Sequence, residues 1–234
     1  DVEQNKLNAL KPFIQKNPNT GEAFSFLEQP LLAQKVVRYA GEPVVLIIGE
    51  TVDLALNASE CIEIDYSPLP HVIDSKEAIK ENSAQVCPEV EKNIAINWKA
   101  NSSAGVEELF ERADQIVDLT IQNSRIVTNP MEPRGLVADW NKDTGRYTLY
   151  GSSQNIHVMA NYVASMLGVA DALVRFIAPD VGGGFGSKNF CYTEYGLIAW
   201  ISERLRRPVK WIASRSEGFL SDHQGRDHQS EAQL

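Results

Sequence analysis

Residues 180–188 read Asp180-Val181-Gly182-Gly183-Gly184-Phe185-Gly186-Ser187-Lys188, a stretch of four glycines around one aromatic residue. The apolar run at 173–178 before this glycine loop predicts a strand, and the pattern at 190–206 after it predicts a helix that ends before Pro208. Glycine is favoured where φ is positive or where a ligand approaches the backbone too closely for a Cβ atom. The order of strand, loop and helix therefore predicts a ligand-binding loop, although a flexible loop would have the same composition.

The glycine loop departs from both common phosphate-binding templates. A P-loop has its lysine directly after the last glycine, but Ser187 separates Gly186 from Lys188. The dinucleotide fingerprint would need a glycine where Ser187 stands. What remains is a row of backbone N–H groups near a helix N-terminus, which suits oxo groups or phosphate oxygens. The sequence disfavours a nucleotide as the ligand but leaves it as an alternative.

The residues around the loop predict a mixed α/β domain over 105–234. Apolar residues at helical spacing, alternating apolar residues and turn residues such as Gly168 mark its elements. The predicted elements are a helix at 106–113, a strand at 117–121, a hairpin of strands 136–140 and 146–150, a helix at 156–167 and a last strand at 209–213.

The first part of the chain predicts a small β-α-β unit, after a polar stretch at 1–30 in which we expect no core element. A buried strand is predicted at 44–48 and a half-buried strand at 62–66. Between them Thr51 can cap a helix. Its inner face would carry Leu54, Ala55 and Ala58.

Prolines and polar residues divide the chain. Pro68 and Pro70 end the β-α-β unit, and residues 74–104 are mixed and polar. We therefore expect one domain at 1–73, a linker at 74–104 and a second domain at 105–234. The fold class predicted is α+β, with a small β-α-β remnant before a mixed α/β subdomain.

Composition and charge limit the class of protein. The chain has 234 residues, of which 43% are hydrophobic and 23% charged, as in ordinary globular domains. Its net charge of −9 disfavours nucleic acid as a partner. The longest aliphatic run, 44–48, is far shorter than the about 20 residues of a membrane span, so none is expected. The scattered Cys61, Cys87 and Cys191 are typical of reduced thiols in a cytoplasmic protein rather than of a metal site.

Four polar side chains could take part in chemistry, each with a plainer alternative. The Gln154 amide could donate to an oxygen of a buried cofactor, but spacing alone favours a capping residue for the following helix. His223 and His228 could suggest a metal, but their spacing fits no common ligand pair and favours a solvated loop. Glu194 could serve as an acid or base, although a surface glutamate of a helix is the commoner case.

Four motifs in a fixed order carry a resemblance to a known family. They are Met131-Glu132-Pro133-Arg134-Gly135, Ser152-Ser153-Gln154, Ala178-Pro179 with the glycine loop, and Arg207-Pro208-Val209-Lys210-Trp211. The series resembles the molybdenum-binding large subunit of the xanthine dehydrogenase, aldehyde oxidase and carbon monoxide dehydrogenase family. The stretch from Lys35 to Pro70 resembles the end of that family's small hammerhead domain. The resemblance covers almost the whole chain.

The resemblance implies a molybdenum–molybdopterin cofactor, in the cytosine dinucleotide form, with no protein side chain bound directly to the metal. It implies cofactor contacts at Gln154, Gly183, Gly184, Phe185 and Gly186. The family's glutamine at the Gln154 position hydrogen-bonds an oxygen bound to molybdenum. The loop residues would fix and tune the metal's ligands.

The resemblance also implies an oxidoreductase that hydroxylates carbon monoxide, an aldehyde or an N-heterocycle with oxygen from water. The family's glutamate base is expected beyond Leu234, so no catalytic residue is expected in this chain, and both chain ends look cut. The remaining C-terminal part of the large subunit, an iron–sulfur small subunit and an FAD medium subunit would be partners. Asn189, where purine hydroxylases carry glutamate, disfavours a xanthine-type substrate. The alternative is a non-catalytic assembly or binding module that keeps the cofactor cradle without the base.

Overall fold

The fold is built around a β-hairpin that ends beside the glycine loop. The structure is a computed structural model that describes residues 7–18, 20–26, 28–100 and 105–234, so residues 101–104 of the predicted linker lie outside it. The helices are α1 Val52–Ser59, α2 Ser75–Ala78, α3 Val106–Glu111, α4 Ile156–Leu167, α5 Thr193–Leu205 and α6 Arg215–Ser221. The strands are β1 Asp118–Asn123, β2 Ile126–Val127, β3 Gly135–Asn141, β4 Arg146–Gly151, β5 Val174–Ile177, β6 Val209–Ile212, β7 Gln224–Gly225 and β8 His228–Gln233.

A four-stranded sheet in the order β5-β4-β3-β6 carries the site. β3 pairs antiparallel with β4 and β6, whereas β4 and β5 run parallel. Because parallel neighbours need a crossover connection, α4 lies between β4 and β5 in the chain. Helices α4 and α5 pack on one face of the sheet, and the α+β class is confirmed. The core between them includes Leu136, Ala138, Leu149, Val163, Phe176 and Ile198.

The turn of the β3–β4 hairpin is set by one asparagine. The Asn141 Oδ1 atom accepts hydrogen bonds from the backbone N–H groups of Asp143 and Thr144, both at 3.0 Å. Gly145 then takes a φ of 65°, which a glycine adopts without strain. The predicted hairpin is confirmed, and its register sets Gly151 opposite Leu136 at the end that leads to Gln154.

The two long helices begin and end at local signals. The Asn155 Oδ1 atom accepts from Val158 N–H at 3.3 Å at the start of α4, and Gly168 ends that helix with a φ of 68°. Helix α5 begins at Thr193, three residues later than its predicted start. The reason is a short 3-10 turn at Ser187–Asn189, after which Phe190 is extended.

The predicted β-α-β unit keeps its helix and lacks its strands. Thr51 caps α1 as expected, since its Oγ1 atom accepts from Leu54 N–H at 3.2 Å. Residues 44–48 and 62–66 form no strand, and the predicted inner face is wrong because Leu54 is 53% exposed. A strand needs a hydrogen-bonded neighbour. No described residue pairs with either segment.

The expectation of no core element at 1–30 is wrong for its described part. Leu10 is buried in the core and pairs through an isolated bridge with Gln29. Asn8 donates from its backbone to Met166 O at 2.8 Å and from Nδ2 to Ser165 O at 2.7 Å. These bonds satisfy carbonyl groups of the last turn of α4, a role that leaves no periodic pattern in the sequence.

Two small sheets join distant parts of the chain. β1 pairs antiparallel with β8, and β2 with β7. The strand predicted at 117–121 is confirmed, with bounds of 118–123. The strands after residue 222 were not predicted, because their polar residues do not alternate with apolar ones.

Candidate functional site

The candidate site lies where β4 and β5 end. Since the two strands are parallel neighbours, their carboxyl ends meet at one edge of the sheet. Gln154 follows β4 there, and the glycine loop follows β5. The loop turns through positive φ values of 95° at Gly183, 50° at Phe185 and 97° at Gly186. The structure thus brings all five predicted cofactor-contact residues together.

The side chain of Gln154 is oriented by the loop. Its Oε1 atom accepts from Gly186 N–H at 2.9 Å, and its backbone N–H donates to Lys188 O at 3.0 Å. Because a backbone N–H can only donate, the carboxamide oxygen must face Gly186, and Nε2 must face away. Nε2 has no acceptor among the described residues. Asn155, not Gln154, caps α4, so the capping interpretation of Gln154 is wrong.

Gly184 passes directly beneath this carboxamide. A Cβ atom at Gly184 would lie 2.5 Å from Gln154 Oε1. At that distance the two atoms would overlap, so any residue other than glycine would clash here. Gly184 is accordingly buried, whereas Gln154 is exposed above it. The glycine at this position is required by the close approach of Gln154.

Phe185 is presented to solvent by a strained backbone. Its side chain is 74% exposed, and its φ of 50° lies in a region that residues with a Cβ atom rarely adopt. Strain of this kind costs about 1–3 kcal/mol and is concentrated at functional sites. An exposed aromatic ring on a strained backbone is typical of a binding surface.

Lys188 points away from any ligand of the loop. Its Nζ atom lies 2.8 Å from Glu132 Oε2, and its side chain is completely buried. The same Glu132 oxygen accepts from Gly182 N–H at 2.7 Å. Burial opposes ionisation of Glu132, but the hydrogen bonds from Lys188 and Gly182 outweigh it and lower the pKa of that carboxyl. The ammonium of Lys188 is therefore engaged inside the protein, unlike that of a phosphate-binding lysine.

A buried ion cluster that the sequence did not predict is linked to the glycine loop through Tyr192, whose hydroxyl donates to Ser187 O at 2.7 Å. The completely buried Arg134 donates from Nε to Asp222 Oδ1 at 2.6 Å and contacts Glu194 Oε1 at 3.2 Å. Its guanidinium lies 3.8 Å from the centre of the Tyr192 ring. Burial disfavours the charged guanidinium, but Glu194 and Asp222 outweigh burial and raise the pKa of Arg134. The sequence signal that could have revealed this cluster is the position of Arg134, a charged residue directly before the apolar strand β3.

The cluster gives Glu194 and Asp222 structural partners. The Glu194 side chain is only 15% exposed and pairs with Arg134, so the interpretation as an ordinary surface glutamate is wrong. The solvated-loop interpretation of the two histidines is right about exposure, since both residues are exposed, and His223 lies in the loop between α6 and β7. It is wrong only about the secondary structure of His228. His228 lies in β8 with Nε2 3.1 Å from Asn123 Nδ2, and the His223 ring packs 4.8 Å from the centres of the Phe190 and Tyr192 rings.

A membrane span is not found in the described part of the chain. None of the helices there has both the length and the apolar character that crossing a bilayer requires.

Comparisons with known proteins agree with the geometry. The chain is 34% identical, over 86% of its length, to the nicotine 6-hydroxylase large subunit of Paenarthrobacter nicotinovorans, of which it covers 24%. It is 30% identical, over 87% of its length, to the carbon monoxide dehydrogenase large chain of Hydrogenophaga pseudoflava, of which it covers 27%. The chain thus spans about a quarter of the length of these relatives.

A solved structure extends the likeness to the fold. Quinoline 2-oxidoreductase from Pseudomonas putida 86 superposes with a TM-score of 0.85 at 27% identity, over 100% of this chain and 31% of that one. Residues 86–234 match the family described as the molybdopterin cofactor-binding domain. This match includes Gln154, the glycine loop and the Arg134 ion cluster, and the chain therefore belongs to the molybdopterin cofactor-binding domain family.

Proposed function

We propose that this chain forms one side of the molybdopterin site in the molybdenum subunit of a molybdenum hydroxylase. The observation that carries the proposal is the Gln154 carboxamide, which Gly186 orients so that Nε2 remains free to donate from the edge of the sheet. A fixed donor in such a position suits a cofactor whose exposed atoms are oxygens.

The residues present fit such a cofactor. The loop N–H groups of Gly183, Gly184 and Phe185 have no acceptor in the part of the chain that the structure describes. Together with Gln154 Nε2 they form a set of neutral donors at this edge of the sheet, and the absence of a Cβ atom at Gly184 lets the Gln154 carboxamide lie against the loop. Lys188 is turned inward toward Glu132, so the set contains no ammonium for a nucleoside triphosphate. Neutral donors of this kind suit the oxygen atoms of an anionic cofactor.

The cofactor, when bound, would supply the two-electron chemistry that hydroxylates a substrate with oxygen from water. The residues of this chain would bind and orient it. Gln154 would donate a hydrogen bond to the cofactor from Nε2, and the N–H groups of Gly183 and Gly184 would donate further hydrogen bonds to it. The exposed ring of Phe185 would exclude water from the site. Gly186 would act through Gln154, because its N–H is already donated to Oε1.

The rest of the enzyme is proposed from the same resemblance. Carbon monoxide, an aldehyde or an N-heterocycle would be the substrate, and relatives named for nicotine and carbon monoxide support this range. The catalytic glutamate base would lie in the remaining part of the large subunit. An iron–sulfur subunit and an FAD subunit would receive the electrons taken from the substrate. We propose that the assembled enzyme is cytoplasmic. We further propose the cytosine dinucleotide form of the cofactor. The division at 1–73, 74–104 and 105–234 also remains a proposal, and the family match beginning at residue 86 reaches into its linker.

Elemental and cofactor analysis tests this proposal. The protein, isolated with its natural neighbours, should contain molybdenum and pterin in equal amounts, and acid should release cytidine monophosphate if the dinucleotide form is right. Gln154→Ala should lower the molybdenum content about tenfold or more, as is typical for groups that orient metal ligands. Gln122→Ala, at an exposed position of β1, is the matched control and should keep the wild-type content. A wild-type protein without molybdenum or pterin would contradict the proposal and leave the non-catalytic module as the better description.

A further inference from the structure

Both ends of the glycine loop meet at a single carboxylate oxygen. Glu132 Oε2 accepts from Gly182 N–H at 2.7 Å at the start of the loop and from Lys188 Nζ at 2.8 Å at its end. The backbone N–H of Glu132 donates in return to Gly182 O at 3.2 Å. We call Glu132, Gly182 and Lys188 the loop anchor. The anchor joins the two ends of the loop through the backbone of Gly182 and the side chains of Glu132 and Lys188.

The loop anchor contains a buried charge, the ammonium group of Lys188. The Lys188 side chain is 0% exposed, whereas that of Glu132 is 41% exposed. A buried ammonium is stable only with a paired anion and good hydrogen bonds. In the described part of the chain, Glu132 is the one carboxylate within ion-pair distance of Lys188. Lys188 is therefore held in place by Glu132, and the exposed face of Glu132 remains hydrated.

The segment that carries Glu132 is itself fixed. The guanidinium of Arg215, in α6, donates from Nη1 to Asn129 Oδ1 at 2.6 Å and to Pro130 O at 2.7 Å. It also donates from Nη2 to Met131 O at 2.8 Å. Glu132 thus projects from a clamped backbone, which suits it to hold a more adaptable loop. A Cβ atom at Gly182 would meet Glu132 Cβ at 2.5 Å, so the loop lies directly against this segment.

The anchor reaches Gln154 through the backbone of Lys188. The carbonyl oxygen of Lys188 accepts from Gln154 N–H at 3.0 Å and from Ser153 Oγ at 3.4 Å. The Gln154 side chain then accepts from Gly186 in the middle of the same loop. A displacement of Lys188 would move both the backbone and the side-chain partner of Gln154.

We propose that Glu132 and Lys188 are positioning residues for the cofactor site. They hold the N–H groups of Gly183 and Gly184 and the Nε2 atom of Gln154 in one geometry, without contacting the cofactor themselves. This inference rests on the proposed function for its ligand, but the loop geometry it describes is independent of that ligand.

The test compares Lys188→Met with two controls in the protein as isolated from its source. Amide hydrogen exchange across 180–188 should become about tenfold faster in Lys188→Met, and molybdenum content should fall by a similar factor. Lys142→Met, at an exposed turn position, should change neither quantity. Leu197→Ala lowers stability from the core without touching the loop, and it should leave the molybdenum electron paramagnetic resonance signal unchanged. Lys188→Met should alter that signal.

Glu132→Gln keeps a hydrogen-bond acceptor but removes the charge, and it takes the place of Lys188→Met if that variant does not fold. The double variant should lose no more molybdenum than the worse single variant, because the two residues act as one pair. Wild-type exchange and wild-type molybdenum content in the folded variant would overturn the inference. A wild-type protein without molybdenum would instead overturn the proposed function, while the exchange measurement would still decide whether the anchor exists.

Discussion

At Gly184 the backbone passes so close to Gln154 that one added carbon decides the geometry of the site. Gly184→Ala would place a Cβ atom 2.5 Å from Gln154 Oε1, and the carboxamide would have to leave its bond with Gly186. A neutral hydrogen bond contributes about 0.5–1.5 kcal/mol. We therefore expect the Gly186 amide to exchange up to about tenfold faster, and molybdenum content to fall as in Gln154→Ala.

Gly218→Ala is the matched control for this substitution. Gly218 lies in α6, and its nearest neighbour to an added Cβ is an Asp222 carboxylate oxygen at an ordinary 3.6 Å. This control should keep wild-type exchange in the loop. Unchanged exchange at Gly186 in Gly184→Ala would show that Gln154 is not held as the structure indicates.

Residue roles in the loop were only partly predictable from the sequence. The glycine cluster correctly indicated a close approach to the backbone at this edge of the sheet. The sequence could not show that the group approaching Gly184 is Gln154, or that Lys188 turns inward. Both facts depend on which segments the sheet brings together, because a glycine or a lysine has the same local signature in either case.

At the level of the element, the N-cap of α4 connects helix stability to the site. Asn155→Ala removes the oxygen that accepts from Val158 N–H and should lower the free energy of unfolding by about 1 kcal/mol. Because Gln154 directly precedes this cap, loop exchange should also rise. Urea unfolding monitored by circular dichroism measures the first effect.

Asn155→Asp keeps an acceptor oxygen and adds a negative charge at a helix N-terminus, which is favourable. Its free energy of unfolding should lie within about 0.5 kcal/mol of that of the wild type. If Asn155→Asp lowers the free energy of unfolding as much as Asn155→Ala does, the side-chain NH₂ group of Asn155, and not its Oδ1 atom, is what stabilises the helix start.

Elements with local signals were predictable, and elements that depend on distant partners were not. Thr51, Asn141 and Gly168 fix caps and turns within a few residues of themselves, and α1, the hairpin and α4 were all predicted. The strands expected at 44–48 and 62–66 need neighbours that no described residue supplies. β8 was missed for the opposite reason, since its polar sequence forms a strand only because β1 pairs with it.

For the whole molecule, Arg134 joins three separate elements. It connects the start of β3 with Glu194 in the first turn of α5 and with Ser221 and Asp222 at the end of α6. Removing one partner of a buried ion pair leaves an uncompensated charge and typically costs 3–5 kcal/mol. Arg134→Met should therefore lower the free energy of unfolding by about 3–5 kcal/mol in denaturant titration.

Arg125→Met is the matched surface control. Arg125 and Asp227 lie 3.8 Å apart with side chains 63% and 60% exposed, and such pairs contribute about 0–1 kcal/mol. A small change in the free energy of unfolding in both variants would show that water reaches the Arg134 cluster, because only hydrated carboxylates remain stable when their cationic partner is removed.

The inward direction of Lys188 bears on how the ligand of a glycine-rich loop is inferred from sequence. A loose scan that accepts one residue between the last glycine and the lysine would select this stretch as a nucleotide site, although its lysine is paired with a glutamate 56 residues upstream. In this chain the partner of the lysine, a glutamate just before Pro-Arg-Gly, thus distinguishes the loop from one whose lysine is free to bind phosphate.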